Sequence, residues 1–515
     1  MQFYNYYNLN LESIDIFIIQ YITSLKLIYI PGEVFCYSIY HVLFLIFSLS
    51  ALILFCVSFN HKLILNKFNG YFFIFQCLLM LLLLNNNSSN FFLFDYLLIQ
   101  DQFSISIQNI LIINIILTIM ISFNYLSKEY IINYEYFLLL SLSLLGILTI
   151  IQSNDLITLY IAIELQSLAF YVLAAFKIYS NFSTEAGLKY FILGAFSSGL
   201  LLFGSSLVYG FTGTTNFTDL QLLFADETIP HNIYNGLLLG LIFVTISILF
   251  KIGVVPFHMW LPDVYEGVPT SITAVFAIVP KIALFAFLFR LGMNFFSINF
   301  FFWHQIFIYT ALMSIIIGSL GALYQVKLKK LLAYSAIAHV GFLLVSFASF
   351  NTFSIFATFF YLLVYIIISL NIFTVLLSLR KYDNFFKIKK INELVLLFKS
   401  NFLLSINIAL IMFSIAGIPP LLGFYSKFYI FVSAIKSELY SIALFIVFLS
   451  VIASMYYIRL IKLMFFKRFA SWIFLMEVPK INSYIISITL FINLIFSFYP
   501  QIFLIFIYNS ILEIF

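Results

Sequence analysis

Apolar runs of roughly 20 residues, parted by short polar stretches, follow one another along almost the whole chain. Each is long enough to cross about 30 Å of hydrocarbon as a helix rising 1.5 Å per residue. In lipid every backbone polar group needs a partner within the protein, so only helices and closed barrels can span. The runs are continuous and lack the in-and-out alternation of barrel strands, which makes them helices. Only 9% of the residues are charged, against about 25% in soluble domains. The expected fold is therefore an all-α polytopic membrane protein.

About fourteen spans are predicted. They cover residues 34–59, 68–84, 103–126, 134–153, 155–176, 187–211, 233–261, 268–291, 303–324, 331–350, 353–379, 402–439, 440–465 and 482–508. Residues 1–33 form an N-terminal extension. Its apolar part holds Lys26 and ends in Ile30-Pro31-Gly32, and it is expected to lie on the membrane surface. The opening "MQFYNYYNLNLESIDIF" has neither the basic start of a secretory signal nor an Arg/Ser-rich transit pattern. Heavy use of Phe, Tyr, Ile and Asn, residues with AT-rich codons, points to synthesis inside an organelle.

Loop charges support the count. Lys62 and Lys67, Lys128, Lys177, the group Lys327, Lys329 and Lys330, the group from Arg380 to Lys390, and Lys467 with Arg468 all follow odd-numbered spans. Asp95, Asp101, Asp155, Asp219, Asp226 and Glu227 follow even-numbered ones. By the positive-inside rule the odd loops face the cytoplasm or the mitochondrial matrix. Arg290 and Lys436 are minor exceptions, and the acidic loop "PDVYEGVP" after span 7 breaks the pattern.

Cys36, Cys56 and Cys77 fall in the first two spans with no close pair, which suggests buried thiols and no metal or iron–sulfur site. No nucleotide loop, haem attachment or flavin fingerprint is present, and no nucleic-acid partner is expected.

Away from the span edges few ionisable residues remain: Glu164, Lys251, Lys281, His339 and Lys427. A lysine at a span centre costs about 2.5–3.5 kcal/mol on insertion scales, so each needs a reason. Glu164 has no cation in its own span and is expected to pair with a lysine elsewhere, although a helix-packing hydrogen bond helped by Gln166 and Ser167 is the plain alternative. Such a pair would keep a buried lysine charged, and a change in the pairing would turn that lysine into a switchable proton carrier. Lys281, directly after Pro280, could instead satisfy carbonyls freed by the proline. His339 has an unperturbed pKa near 6.5, suited to passing protons, yet a membrane histidine is often only a packing donor. Lys427 lies near the middle of a long span, which argues against a snorkelling edge residue.

Two of these lysines stand beside helix breaks of the same form. Gly253-Val254-Val255-Pro256 interrupts span 7 and Gly417-Ile418-Pro419-Pro420 interrupts span 12. The odd offset of five spans makes those helices antiparallel, and Glu164 and His339 share that offset. This is the pattern of an inverted repeat, spans 4–8 (134–291) against spans 9–13 (303–465), with broken helices 7 and 12 facing a midplane site. Spans 1–3 (34–126) and the last span (482–508) lie outside it. Backbone freed at the breaks calls for water, so a hydrated midplane path is expected. His258, Asp263 and Glu266, beyond the first break, are candidates for the mouth of an inlet; a solvated turn is the simpler reading of the two acids.

The stretch "FKIGVVPFHMWLPDVYEGVPTSITAVFAIVPKIALFAF" closely resembles the signature of the antiporter-like chain 2 family of proton-pumping NADH:quinone oxidoreductase, respiratory complex I. "IAIELQSLAFYVLAAF", "STEAGLKYFILGAFSSGLLLFGSSLVYGFTGTTNF", "KKLLAYSAIAHVGFLL" and "FSIAGIPPLLGFYSKFYIF" are similar to further blocks in the same order, so the resemblance covers roughly residues 31–465. It implies a fourteen-helix subunit of the mitochondrial inner membrane that binds no redox cofactor itself. NADH and ubiquinone would be used by the parent complex, and protons would pass through this chain. Residue by residue, Glu164 matches the family's glutamate paired with the lysine of the broken seventh helix, here Lys251. Lys281 matches the central lysine of the eighth span, His339 the linking histidine, and Lys427 the lysine of the broken twelfth helix. Expected partners are lipid, internal water and other membrane-arm subunits, including neighbouring antiporter-like ones. The rival readings are a stand-alone sodium or potassium/proton antiporter, the equivalent subunit of a photosynthetic-type plastoquinone-reducing complex, and a structural anchor that no longer pumps.

Overall fold

A computed structural model describes residues 42–50, 62–85, 91–129, 131, 133–225, 230–296, 300–349, 351–382, 387–467, 474–501, 504–505 and 507. The N-terminal extension, Cys36, Cys56, Asp226, Glu227, Arg468 and most of span 1 lie outside the described residues; 42–50 of that span is helical. The first half of the chain builds α1 (Lys62–Asn85), a hairpin of β1 (Phe91–Leu93) and β2 (Leu98–Gln100), α2 (Gln102–Lys128), α3 (Tyr134–Gln152), α4 (Leu156–Ala174), α5 (Asn181–Thr212) and α6 (Phe217–Ala225). Next come α7 (His231–Ile252), α8 (Trp260–Gly267), α9 (Thr270–Leu291), α10 (Phe300–Leu323), α11 (Leu328–Ser349) and α12 (Thr352–Ser378). The chain closes with α13 (Leu397–Ser400), α14 (Phe402–Ala416), α15 (Leu422–Lys436), α16 (Tyr440–Phe465) and α17 (Lys480–Phe498).

Among the described residues, 12 helices are long and apolar enough to cross a membrane. They coincide with every predicted span except span 1 and span 12, the latter being split into α14 and α15. Several short elements escaped the hydropathy reading: the hairpin β1–β2, hidden in an apolar run, and the helices α6, α8 and α13.

The sides of the bundle can be read from contacts between loops. Glu129, after α2, pairs with Lys177 after α4 and with Arg380 and Lys387 after α12. Lys327 bridges to Lys390, and Lys381 to Leu475, which brings the segments after α10, α12 and α16 together. On the opposite end Leu98 bridges to Ser153 and Asp155 to Asn216. Odd and even loops thus gather at separate ends, as the charge alternation requires. Glu129 is partly buried, which by itself raises its pKa, but Lys387 and Lys177 hold the carboxyl below its usual range. Burial pushes the Lys387 ammonium down to about 8 against the pull of that carboxylate.

Both exceptions to the alternation have partners. Arg290 Nη2 donates to both carboxylate oxygens of Asp101 at 3.0 Å, and Asp101 also caps α2 by accepting from Ser104 N. Lys436 Nζ stands 3.6 Å from the Phe353 ring centroid, a cation–π contact.

Helices approach closely where small residues meet. A Cβ on Gly204 of α5 would come within 2.7 Å of the Gly240 carbonyl of α7, so neither glycine has room for a side chain. The centre of the bundle is α9, which packs against α2, α3 and α12 and is buried at every residue but Pro280. A helix apolar all round belongs in such a position. Its one central charge, Lys281, therefore sits at the core of the molecule.

Candidate functional site

The two predicted breaks are present and share a local form. α7 ends on Gly253 at φ 87° and α14 on Gly417 at φ 85°, left-handed caps that favour glycine. Each break frees carbonyls, and side chains take them up. The Trp260 indole donates to Phe250 O at 3.0 Å at the first, and Lys427 Nζ donates to Ala416 O at 2.9 Å at the second. A Cβ on Gly417 would stand 2.9 Å from Lys427 Cδ. Gly417→Ala is thus expected to cost about 1–2 kcal/mol of backbone strain and to push Lys427 off the carbonyl. A thermal melt of the assembled protein and its transport rate would both fall.

Around the first break the expected contact takes a different form. Lys251, in the last turn of α7, donates to the Tyr171 hydroxyl at 3.2 Å and to Gly194 O at 3.4 Å. Glu164 accepts from Ser167 Oγ at 3.1 Å. Among the described residues no ion pair within 4.0 Å joins Lys251 to Glu164. In place of the direct pair expected from the sequence, Lys251 bonds the Tyr171 hydroxyl, and Tyr171 shares one face of α4 with Glu164 and Ser167, at i, i+3 and i+7.

Lys281 Nζ donates to the Tyr365 hydroxyl of α12 at 3.0 Å and lies 4.9 Å from that ring's centroid. Tyr365 OH reaches Ala277 O on α9 at 3.5 Å. The lysine therefore bonds a phenol, and the phenol reaches the carbonyl, rather than the lysine satisfying backbone freed by Pro280. His339 of α11 lies between two more tyrosines, its Nδ1 2.6 Å from Tyr361 OH and its Nε2 3.3 Å from Tyr457 OH. Tyrosine and histidine both donate and accept, so each contact can hand a proton onward.

Two cavities connect these groups. One, of about 20 Å³, is lined by Ser167, Lys251, Trp260, Tyr265 and Lys281 among others. The second, of about 40 Å³, is lined by Tyr265, His339, Tyr361, Tyr365, Ser414 and Lys427 among others. Tyr265 borders both, and Tyr365 ties the second to Lys281. The four basic residues thus lie along one polar axis across the bundle. Cavities of this size with polar partners have room for water.

The acidic stretch after the first break is a helix, α8, and the solvated-turn reading is corrected. Asp263 bonds Lys189 at 3.0 Å and Lys330 at 3.2 Å, and Glu266 bonds Lys330 at 3.0 Å and Lys327. Lys329 donates to Val268 O nearby. The acids break the loop-charge alternation because they neutralise lysines of α5 and α11. They hold α8 against those helices, and Lys189 and Lys330 keep the Asp263 carboxyl below its usual range although burial raises it. His258 is buried beside the break.

Sequence reasoning did not single out Tyr171, Tyr265, Tyr361, Tyr365 or Tyr457. The i, i+4 pair Tyr361 and Tyr365 facing inward on α12 was the available signal, lost among 34 tyrosines.

The transmembrane family model described as NADH:quinone oxidoreductase/Mrp antiporter matches residues 153–453, a stretch that holds Glu164, Lys251, Lys281, His339 and Lys427. NADH-ubiquinone oxidoreductase chain 2 of Marchantia polymorpha is 41% identical over 78% of this chain and 82% of the relative. NADH-quinone oxidoreductase subunit N of Rhodospirillum rubrum is also 41% identical, over 68% of this chain and 71% of the relative. In fold, a chain of respiratory complex I from Thermus thermophilus matches with a TM-score of 0.74 over 90% of this chain and 98% of that one, at 24% identity.

Proposed function

From the premise that this chain belongs to the NADH:quinone oxidoreductase/Mrp antiporter transmembrane family, we propose that it moves protons through the axis Lys251, Lys281, His339 and Lys427. It is a multi-pass, antiporter-like membrane subunit of the complex I kind. Its place would be the mitochondrial inner membrane, beside other membrane-arm subunits. The chain would bind no redox cofactor, the NADH and ubiquinone chemistry being done elsewhere in the complex. The observation that carries the reading is the pair of cavities sharing Tyr265, one holding Lys251 and Lys281, the other His339 and Lys427.

In this mechanism Lys251 takes a proton from water at the first break and holds it against the Glu164–Ser167–Tyr171 face. Quinone chemistry elsewhere alters that electrostatic balance, each pKa unit of change being about 1.36 kcal/mol. The proton then crosses the first cavity to Lys281, passes Tyr365 and His339, and leaves through Lys427. The matching form of the two breaks supports the inverted repeat. His258, next to the first break, remains the candidate for the inlet mouth, whereas Asp263 and Glu266 act as clamps for α8.

Lys251→Ala and Glu164→Ala are each expected to lower NADH-driven pumping and coupled quinone reduction in membrane vesicles while the complex still assembles. Unimpaired pumping in both variants would overturn the assignment. The family also includes Mrp antiporters, so sodium or potassium exchange is the second reading. Cation movement by this chain without an NADH-oxidising partner would favour it.

A further inference from the structure

The last helix, α17, is polar on the side it buries and apolar on the side it exposes. Asn482, Thr489, Asn493 and Ser497 are all buried, while Tyr484, Ile488, Phe491 and Phe498 face outward. The buried polar side chains meet polar residues of α12 and α14. Asn371 and Asn407 exchange side-chain amide hydrogen bonds at 3.2 and 2.8 Å, and Asn371 also donates to Thr489 Oγ1 at 2.8 Å. Further in, Ser414 Oγ donates to Asn493 Oδ1 at 3.2 Å. Ser414 also lines the cavity that holds His339 and Lys427.

The direction of this seam follows from the loops. The segments before α14 and before α17 lie at the basic end, where Tyr382 N donates to Phe474 O and Met476 N to Arg380 O. Asn482, in the first turn of α17, therefore marks the basic end of the seam. It is 1% exposed, and its Oδ1 has no hydrogen-bond partner. A buried amide oxygen left unbonded is what a bound water satisfies. From Asn482 the polar groups step inward through Thr489 to Asn493 at seven and four residues, about 10 Å and 6 Å along the helix. They end at a cavity that already contains a titratable lysine.

We propose that the seam between α17 and α12–α14 is a hydrated branch that admits water and protons from the basic face directly to Lys427. The proposal rests on the relay reading for the destination of the proton, though the seam's hydration does not. It gives the second half of the axis its own supply, separate from the break at Lys251. Asparagine, threonine and serine along a helix–helix contact can also act purely as interhelical hydrogen-bond glue. A dry seam is therefore the contrary outcome.

The test is silver-ion accessibility in the whole complex, in membrane vesicles. Ag⁺ is close to water in size and combines with thiolates. Thr489→Cys and, as a second position, Asn493→Cys are compared with Ile488→Cys at the same depth on the outer face. Protection is read by alkylating the remaining thiols after denaturation, with the native cysteines as background. Ag⁺ added at the basic face is expected to protect the seam thiols about tenfold faster than the outer-face thiol, because only a hydrated thiol ionises readily. Equal rates at Thr489→Cys, Asn493→Cys and Ile488→Cys would overturn the proposal. Because this readout does not use pumping, it stands or falls apart from the Lys251→Ala and Glu164→Ala result.

Discussion

Replacing Lys281 by methionine is expected to cut NADH-driven pumping by at least about tenfold, the low end of what a positioned proton-transfer group contributes being larger still. The fully assembled complex should survive the change. Methionine is close to lysine in length and flexible enough to fill the same space. It also removes a buried charge whose only direct polar partner among the described residues is the Tyr365 hydroxyl. Burying a charge without a counter-ion is costly, so function and stability should move in opposite directions: pumping falls while the melting temperature holds or rises. A lysine kept merely to satisfy backbone at Pro280 gives the reverse pattern, with a destabilised protein and pumping in proportion to the complex that assembles. Native electrophoresis, a thermal melt and a vesicle pumping assay separate the two.

The second large effect concerns Asp101 and Arg290. Arg290 lies at the end of α9, is 8% exposed, and bonds both oxygens of Asp101 at the start of α2. Asp101→Asn leaves the guanidinium buried without its counter-charge, and removing one partner of a buried pair costs about 3–5 kcal/mol. Asparagine caps a helix about as well as aspartate, so the cap on α2 is kept and the loss reports the ion pair. The expected result is a steep loss of assembled protein. Asp101→Asn combined with Arg290→Leu should recover much of it, because the orphan charge is then gone. A double variant no better than the single would show that the loss does not come from the orphaned guanidinium.

The membrane helices were legible because roughly 20 apolar residues in a row admit few other structures, and the breaks because Gly-x-x-Pro cannot continue a helix. The buried titratable residues stood out for the same reason: a charge in an apolar run has a cost and so attracts notice. The contacts those residues make were not legible. Lys251 could be matched to Glu164 by charge, but that it bonds Tyr171 instead depends on how α4, α5 and α7 pack. The helix α8 was hidden because Asp263 and Glu266 look like loop residues until Lys189 of α5, Lys330 of α11 and Lys327 just before α11 converge on them. The polar seam of α17 was hidden because Asn482, Thr489 and Asn493 are uncharged, and single amides and hydroxyls in an apolar run raise no alarm.

Lys251 and Lys281 line the same cavity and are therefore expected to act as successive stations of one path. The most direct measurement is the proton-to-electron ratio of reconstituted complexes carrying Lys251→Ala, Lys281→Met, and both together. Groups that act in series fail as a unit, so their losses are strongly non-additive. The double variant is expected to pump no worse than the more severe single one. Losses that multiply in the double variant would mean two independent routes and overturn the single path.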